Sequence, residues 1–136
     1  MQDFQEDEKK NHDRIMLVED DTTITHVLKR QLERWGYEVF DTVDFEHVME
    51  AFAGWKPDLV LMDIDMPEMD GIETAKRIME MTDHTVPILF VTALCDRQTV
   101  TLCRNLDAAG YIVRPYKPVF VKTEIKRILM GRSEIE

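Results

Sequence analysis

Residues 57–71 read Pro57-Asp58-Leu59-Val60-Leu61-Met62-Asp63-Ile64-Asp65-Met66-Pro67-Glu68-Met69-Asp70-Gly71, and this stretch decides the fold. Four apolar residues, Leu59 to Met62, follow a proline break and end abruptly in an acid. A short run that is apolar at every position reads as a strand buried on both faces. The loop after it leads into a helix, with Ile72, Ala75, Ile78 and Met79 on one face.

The same sentence repeats on either side. Ile15-Met16-Leu17-Val18 is another apolar run, followed at once by Glu19, Asp20 and Asp21. Ile24, Val27, Leu28, Leu32 and Trp35 then recur at helical spacing until Gly36 stops the helix. Tyr37 to Phe40 predicts a second strand, and residues 44–55 a second helix through Phe45, Val48, Met49 and Phe52. Downstream, Ile88 to Val91 form a further apolar run ending in Thr92. A weaker helix over 97–107 follows, then a strand at Tyr111-Ile112-Val113. A closing helix through Val121, Ile125, Ile128 and Leu129 is expected to end near Gly131.

Five strands alternating with five helices predict an α/β fold. The expected architecture is a five-stranded parallel sheet of order 2-1-3-4-5 with helices on both faces, the flavodoxin-like doubly wound arrangement. One domain over residues 14–131 is expected, with a polar arm at 1–13 and a tail at 132–136.

Composition narrows the function. The chain has 136 residues, 44% hydrophobic and 32% charged, which suits one globular core. Its formal net charge is −10, a poor basis for direct nucleic-acid binding. No apolar run approaches a membrane span, and the first residues carry no secretory h-region. Cys95 and Cys103 make no disulfide framework, so a cytoplasmic location is expected. The four histidines have no metal-ligand spacing.

In such a sheet the site lies at the carboxyl ends of the strands. Those ends deliver Glu19, Asp20 and Asp21 from the first strand, Asp63 and then Asp65 from the third, Thr92 from the fourth and Arg114 from the fifth. Carboxylates crowded into one cleft repel, and a hard divalent cation such as Mg2+ relieves this. The set fits phosphoryl chemistry. Asp63 is the expected nucleophile, Glu19 and Asp20 the metal acids, and Thr92 and Arg114 the groups on phosphoryl oxygens. Any one of these acids alone reads as a helix cap or a solvated charge, and Asp21 or Thr22 is expected to cap the first helix. Their convergence from several strands argues against coincidence.

At these residues the chain resembles the receiver domains of two-component response regulators, of the chemotaxis-regulator type. The carriers are Leu17-Val18-Glu19-Asp20-Asp21, the stretch 57–71 with its DxxMPxMDG loop, Val91-Thr92-Ala93 and Gly110 to Pro115. The spacings agree: 43 residues separate Asp20 from Asp63 and 22 separate Thr92 from Arg114. The resemblance covers residues 14–131. It implies that Asp63 accepts a phosphoryl group, that Asp20 ligates Mg2+ directly and Glu19 through water, and that the Asp65 backbone carbonyl completes the protein ligands. It implies that Thr92 and Tyr111 form a switch. It also implies a histidine kinase or phosphotransfer protein as donor. The output would be a downstream protein target or a dimer, through the fourth helix, last strand and last helix. Asp65 and Leu94, beside the expected phosphoryl group, would tune its lifetime.

Two departures stand out. Arg114 replaces the family's lysine, while Lys117-Pro118 mimics that motif at the wrong spacing from Thr92. Asp107 stands where a glycine usually ends the fourth helix, and a different or looser helix end is expected there. A cis Arg114–Pro115 bond is expected to aim Arg114 into the cleft. Two further readings compete. Asp63-Ile64-Asp65 also matches the DxD motif of haloacid-dehalogenase-type phosphatases, although there further acids follow rather than precede the pair. A degenerate receiver binding partners without phosphorylation is the other.

Overall fold

The computed structural model describes residues 13–42, 45–66 and 69–135. The arm expected over 1–13 lies outside the described residues apart from Asp13. The strands are β1 (Arg14–Val18), β2 (Glu38–Thr42), β3 (Leu59–Met62), β4 (Ile88–Thr92) and β5 (Gly110–Val113). The helices are α1 (Thr22–Arg34), α2 (Phe45–Gly54), α3 (Gly71–Met81), α4 (Arg97–Asn105) and α5 (Pro118–Ile135). The strands form one parallel sheet of order β2-β1-β3-β4-β5, the order expected from the sequence.

The alternation of side chains along each strand divides the core in two. Ile15, Leu17, Leu59, Leu61, Leu89, Val91 and Ile112 face one way, onto Leu28 and Leu32 of α1 and Val121 and Ile125 of α5. Met16, Val18, Val60, Met62, Ile88 and Phe90 face the other way, onto Val48 and Phe52 of α2 and Ala75 and Ile78 of α3. This is why the central strands are apolar at every position. Each fully buried side chain of this kind contributes about 1.5–3 kcal/mol, so neither face tolerates a polar intruder.

Three elements differ from expectation. β2 begins at Glu38, because the Tyr37 N–H is bonded back to the Leu32 carbonyl at the end of α1 and Arg14 pairs in register with Glu38. α5, expected to end near Gly131, runs through it to Ile135. Glycine weakens a helix interior but ends one only where the chain turns left-handed, as Gly36 does at φ 101°. The loop after β3 closes on itself in a minimal antiparallel pairing, Asp65 with Asp70 and Met66 with Met69.

The expectation for Asp107 is also corrected. Asp107 takes the left-handed conformation at φ 63°. Its N–H bonds the Arg104 carbonyl and the Ala108 N–H bonds the Cys103 carbonyl, which is the Schellman closure of α4. Among the described residues, no helix is long and apolar enough to cross a membrane.

Candidate functional site

The register of the sheet brings the strand ends together. Val18 pairs with Met62, Met62 with Phe90, and Thr92 with Val113. The residues just past those positions therefore share one edge. Glu19 follows β1, Asp63 follows β3, Thr92 closes β4 and Arg114 follows β5. Two backbone bonds extend the ladder to the site itself, from the Asp63 N–H to the Val18 carbonyl (3.0 Å) and from the Arg114 N–H to the Thr92 carbonyl (2.8 Å).

Glu19, Asp63 and Thr92 are buried, while Asp20 is exposed. Carboxylate oxygens of Glu19, Asp20 and Asp63 lie within 4.8 Å of one another. The donor set is all oxygen, as a hard cation requires. Burial pushes the Glu19 carboxyl up from 4.5 to about 7. The Asp21 N–H and the Arg114 charge oppose this rise; the Asp63 charge and a hydrogen bond with Asp20 add to it.

Glu19 and Asp63 are also held by the backbone two residues on. Glu19 Oε2 accepts from the Asp21 N–H (3.0 Å). Asp63 Oδ1 accepts from the Asp65 N–H (3.2 Å), so Asp65 orients Asp63 through its main chain while its own side chain is exposed. Asp21 has the plain role expected of it, capping α1 through the N–H groups of Thr23 and Ile24. Asp70 caps α3 in the same way.

Arg114 is drawn into the cluster, and the Arg114–Pro115 bond is cis as expected. Arg114 Nη2 pairs with Glu19 Oε1, donates to the Val91 carbonyl (3.0 Å) and lies 3.6 Å from Asp63 Oδ2. Lys117, the mimic of the family's lysine, is exposed and lines a surface groove with Pro115, Tyr116 and Phe120.

Just past β4, Thr92 Oγ1 accepts from the Leu94 N–H (3.3 Å). The Tyr111 hydroxyl donates to the Leu94 carbonyl (2.5 Å). The Tyr111 ring is half-buried and packs against Phe90, with centroids 6.3 Å apart. Burial pushes its phenol up to about 12.

Gly71, quoted in the sequence only as part of the DxxMPxMDG loop, has a packing role beside Asp63. A Cβ there would lie 2.6 Å from the Asp63 carbonyl oxygen and 2.7 Å from the Ile64 Cα. The first turn of α3 thus packs directly on the backbone that carries Asp63. The signal was present as the glycine immediately after the Asp70 cap.

Comparison with known proteins gives the family. The family model described as the response regulator receiver domain matches residues 15–126, and the chain belongs to that family. It is 34% identical over 116 residues to the sensory transduction protein BceR of Halalkalibacterium halodurans, covering 85% of this chain and 49% of that protein. It is 35% identical over 122 residues to the alkaline phosphatase synthesis transcriptional regulatory protein PhoP of Bacillus subtilis, covering 90% of this chain and 50% of that one. The chain therefore spans about half the length of these curated relatives. Among solved structures, a CheY-like response regulator receiver domain protein from Methanospirillum hungatei superimposes with a TM-score of 0.86 at 26% identity, over 93% of this chain and all of the other.

Proposed function

We propose that this receiver domain is a phosphorylation-driven switch whose acceptor is Asp63. The observation that carries the reading is the meeting of three carboxylates within 4.8 Å beside a cation and a buried hydroxyl, delivered from four strand ends, with Glu19 and Asp20 sharing that of β1. Asp20 and Asp63, with the Asp65 carbonyl, would hold Mg2+ directly, and Glu19 would hold it through water. Bound there, the ion supplies charge neutralisation to the transferring group. A carboxylate oxygen of Asp63 attacks phosphorus, and the bond from phosphorus to the donor's histidine nitrogen breaks. The imidazole leaves with the electron pair, and an acyl phosphate remains on Asp63. Arg114 and Thr92 are the donors to its oxygens.

The donor is a histidine kinase or phosphotransfer protein, and the domain works in the cytoplasm. The switch runs through Leu94. Its N–H is held by Thr92 and its carbonyl by Tyr111, so a Thr92 hydroxyl that turns to a phosphoryl oxygen releases one half of that grip. The equilibrium between the two arrangements shifts only by the difference in their contacts. The face that changes is built from α4, β5 and α5, where Leu102, Val113, Val119 and Phe120 are exposed. Such a face suits a downstream protein or a second copy better than it suits water. Asp65 and Leu94 flank the acceptor and tune how fast water removes the group. The unit that carries these roles is residues 14–131.

Intact mass after incubation with Mg2+ and a small-molecule phosphodonor tests the reading. One added phosphoryl group, absent in Asp63→Asn and with chelator, is expected. The ion pair of Arg114 with Glu19 favours a second reading, a phosphorylation-independent binding module. No added mass from a protein that binds Mg2+ would select it. Turnover of phosphate esters would select the haloacid-dehalogenase-type alternative.

A further inference from the structure

We propose that Arg114 is a resident counter-ion of the acid cluster that competes with Mg2+ for Glu19, and so sets how tightly the site takes the metal. This rests on the metal-dependent reading above and concerns its regulation.

The argument begins with the position of one nitrogen. Arg114 Nη2 is shared between Glu19 Oε1 and Asp63 Oδ2, which belong to two of the three carboxylates grouped for a cation. A divalent ion drawn to those oxygens therefore meets a positive charge already in place. Little water screens the two, because the Glu19 side chain is 3% exposed and that of Arg114 19%. A surface ion pair would yield easily; one this sheltered resists.

A second observation concerns the other edge of the guanidinium. Arg114 Nε is buried and has no hydrogen-bond partner among the described residues. Buried donors in native proteins are almost always bonded. The fork is thus anchored through Nη2 to Glu19 and Val91, with the buried Nε donor in reserve. Uptake of a cation held by Asp20 and Asp63, and by Glu19 through water, would be coupled to release of the guanidinium from Glu19. The reserve Nε and the freed Nη2 then form a planar pair of donors that matches two oxygens of an incoming phosphoryl group. The planar fork lets Arg114 serve first the carboxylate and then the phosphoryl oxygens, and a compact ammonium could not divide its donors in this way. The coupling is reciprocal: the factor by which bound metal weakens the ion pair is the factor by which the ion pair weakens metal binding.

The test is calorimetric titration of the full chain with Mg2+ alone, in a double-mutant cycle of Arg114→Gln and Glu19→Gln. Arg114→Gln is expected to tighten Mg2+ binding on the order of tenfold, the scale on which one neighbouring charge acts. In the Glu19→Gln background the same substitution is expected to gain less than about threefold, because the pair with Glu19 is gone and only the longer approach of Arg114 to Asp63, at 3.6 Å, remains. Arg114→Lys keeps a charge and a donor for the Val91 carbonyl, and should fall between the wild type and Arg114→Gln. An equal gain in both backgrounds would show a general field effect and overturn the proposal, as would no gain. No Mg2+ uptake by any of the proteins would overturn the metal reading itself, and the inference with it.

Discussion

The Tyr111 hydroxyl donates to the Leu94 carbonyl at 2.5 Å, and this bond ties the edge strand β5 to the segment leading into α4. The same environment pushes the phenol up from 10 to about 12, chiefly by burial. Between those values the folded protein keeps a proton that the unfolded chain has lost. Stability from this group is full below pH 10 and is lost as pH rises towards 12. Urea unfolding at stepped alkaline pH should show a steeper loss for the wild type than for Tyr111→Phe. Parallel losses would mean that the phenol carries no such linkage.

Gly71→Ala should destabilise the fold by about 1–3 kcal/mol, the cost of forcing a methyl into a packed contact. The added Cβ meets the Asp63 carbonyl oxygen and the Ile64 Cα, so the strain falls on the backbone that carries the acceptor. Equilibrium urea unfolding gives the first number. Phosphoryl uptake from a small donor should fall with it, and unchanged uptake would separate packing from function.

Helix ends offer the opposite sign. Lys56 and Asp107 are exposed and sit at φ 57° and 63°, where side chains other than glycine are strained. Lys56→Gly and Asp107→Gly should each stabilise by up to about 1 kcal/mol, after the greater freedom of glycine in the unfolded chain is counted. A rise in Tm measures this; a fall would show that side-chain contacts outweigh the backbone.

Most of the sheet was legible in the sequence, for a reason visible in Leu61 and Phe90. Strands buried on both faces leave no room for polar residues, so the apolar runs mark where they lie, and the order 2-1-3-4-5 followed from the doubly wound class that their alternation with helices implies. The strand-end residues Glu19, Asp63, Thr92 and Arg114 were legible too, because parallel topology puts all carboxyl ends on one edge. What escaped depends on three-dimensional approach. The closeness of Gly71 to Asp63 is set by how α3 docks. The continuation of α5 through Gly131 depends on a left-handed turn not being taken there. Trp55 had no motif around it, yet its ring meets Phe40 and the Arg14 guanidinium, contacts between segments about 15 and 41 residues apart in the chain.

The two cysteines should behave differently. Cys95 is exposed, whereas Cys103 is 2% exposed and burial pushes its thiol up to about 11. A disulfide reagent should therefore titrate one thiol in the native protein and two after denaturation. Rapid reaction of both without denaturant would show that the core around α4 opens readily.

The central claim is that Asp63 is the acceptor, and the direct measurement is chemical mapping of the phosphoryl site. After exposure to Mg2+ and a small phosphodonor, borohydride reduces an aspartyl phosphate to homoserine, which tandem mass spectrometry locates by residue. The account predicts homoserine at position 63 alone, and none when chelator is present. Homoserine at Asp20 or Asp65, or at no position in a protein that binds Mg2+, would contradict it.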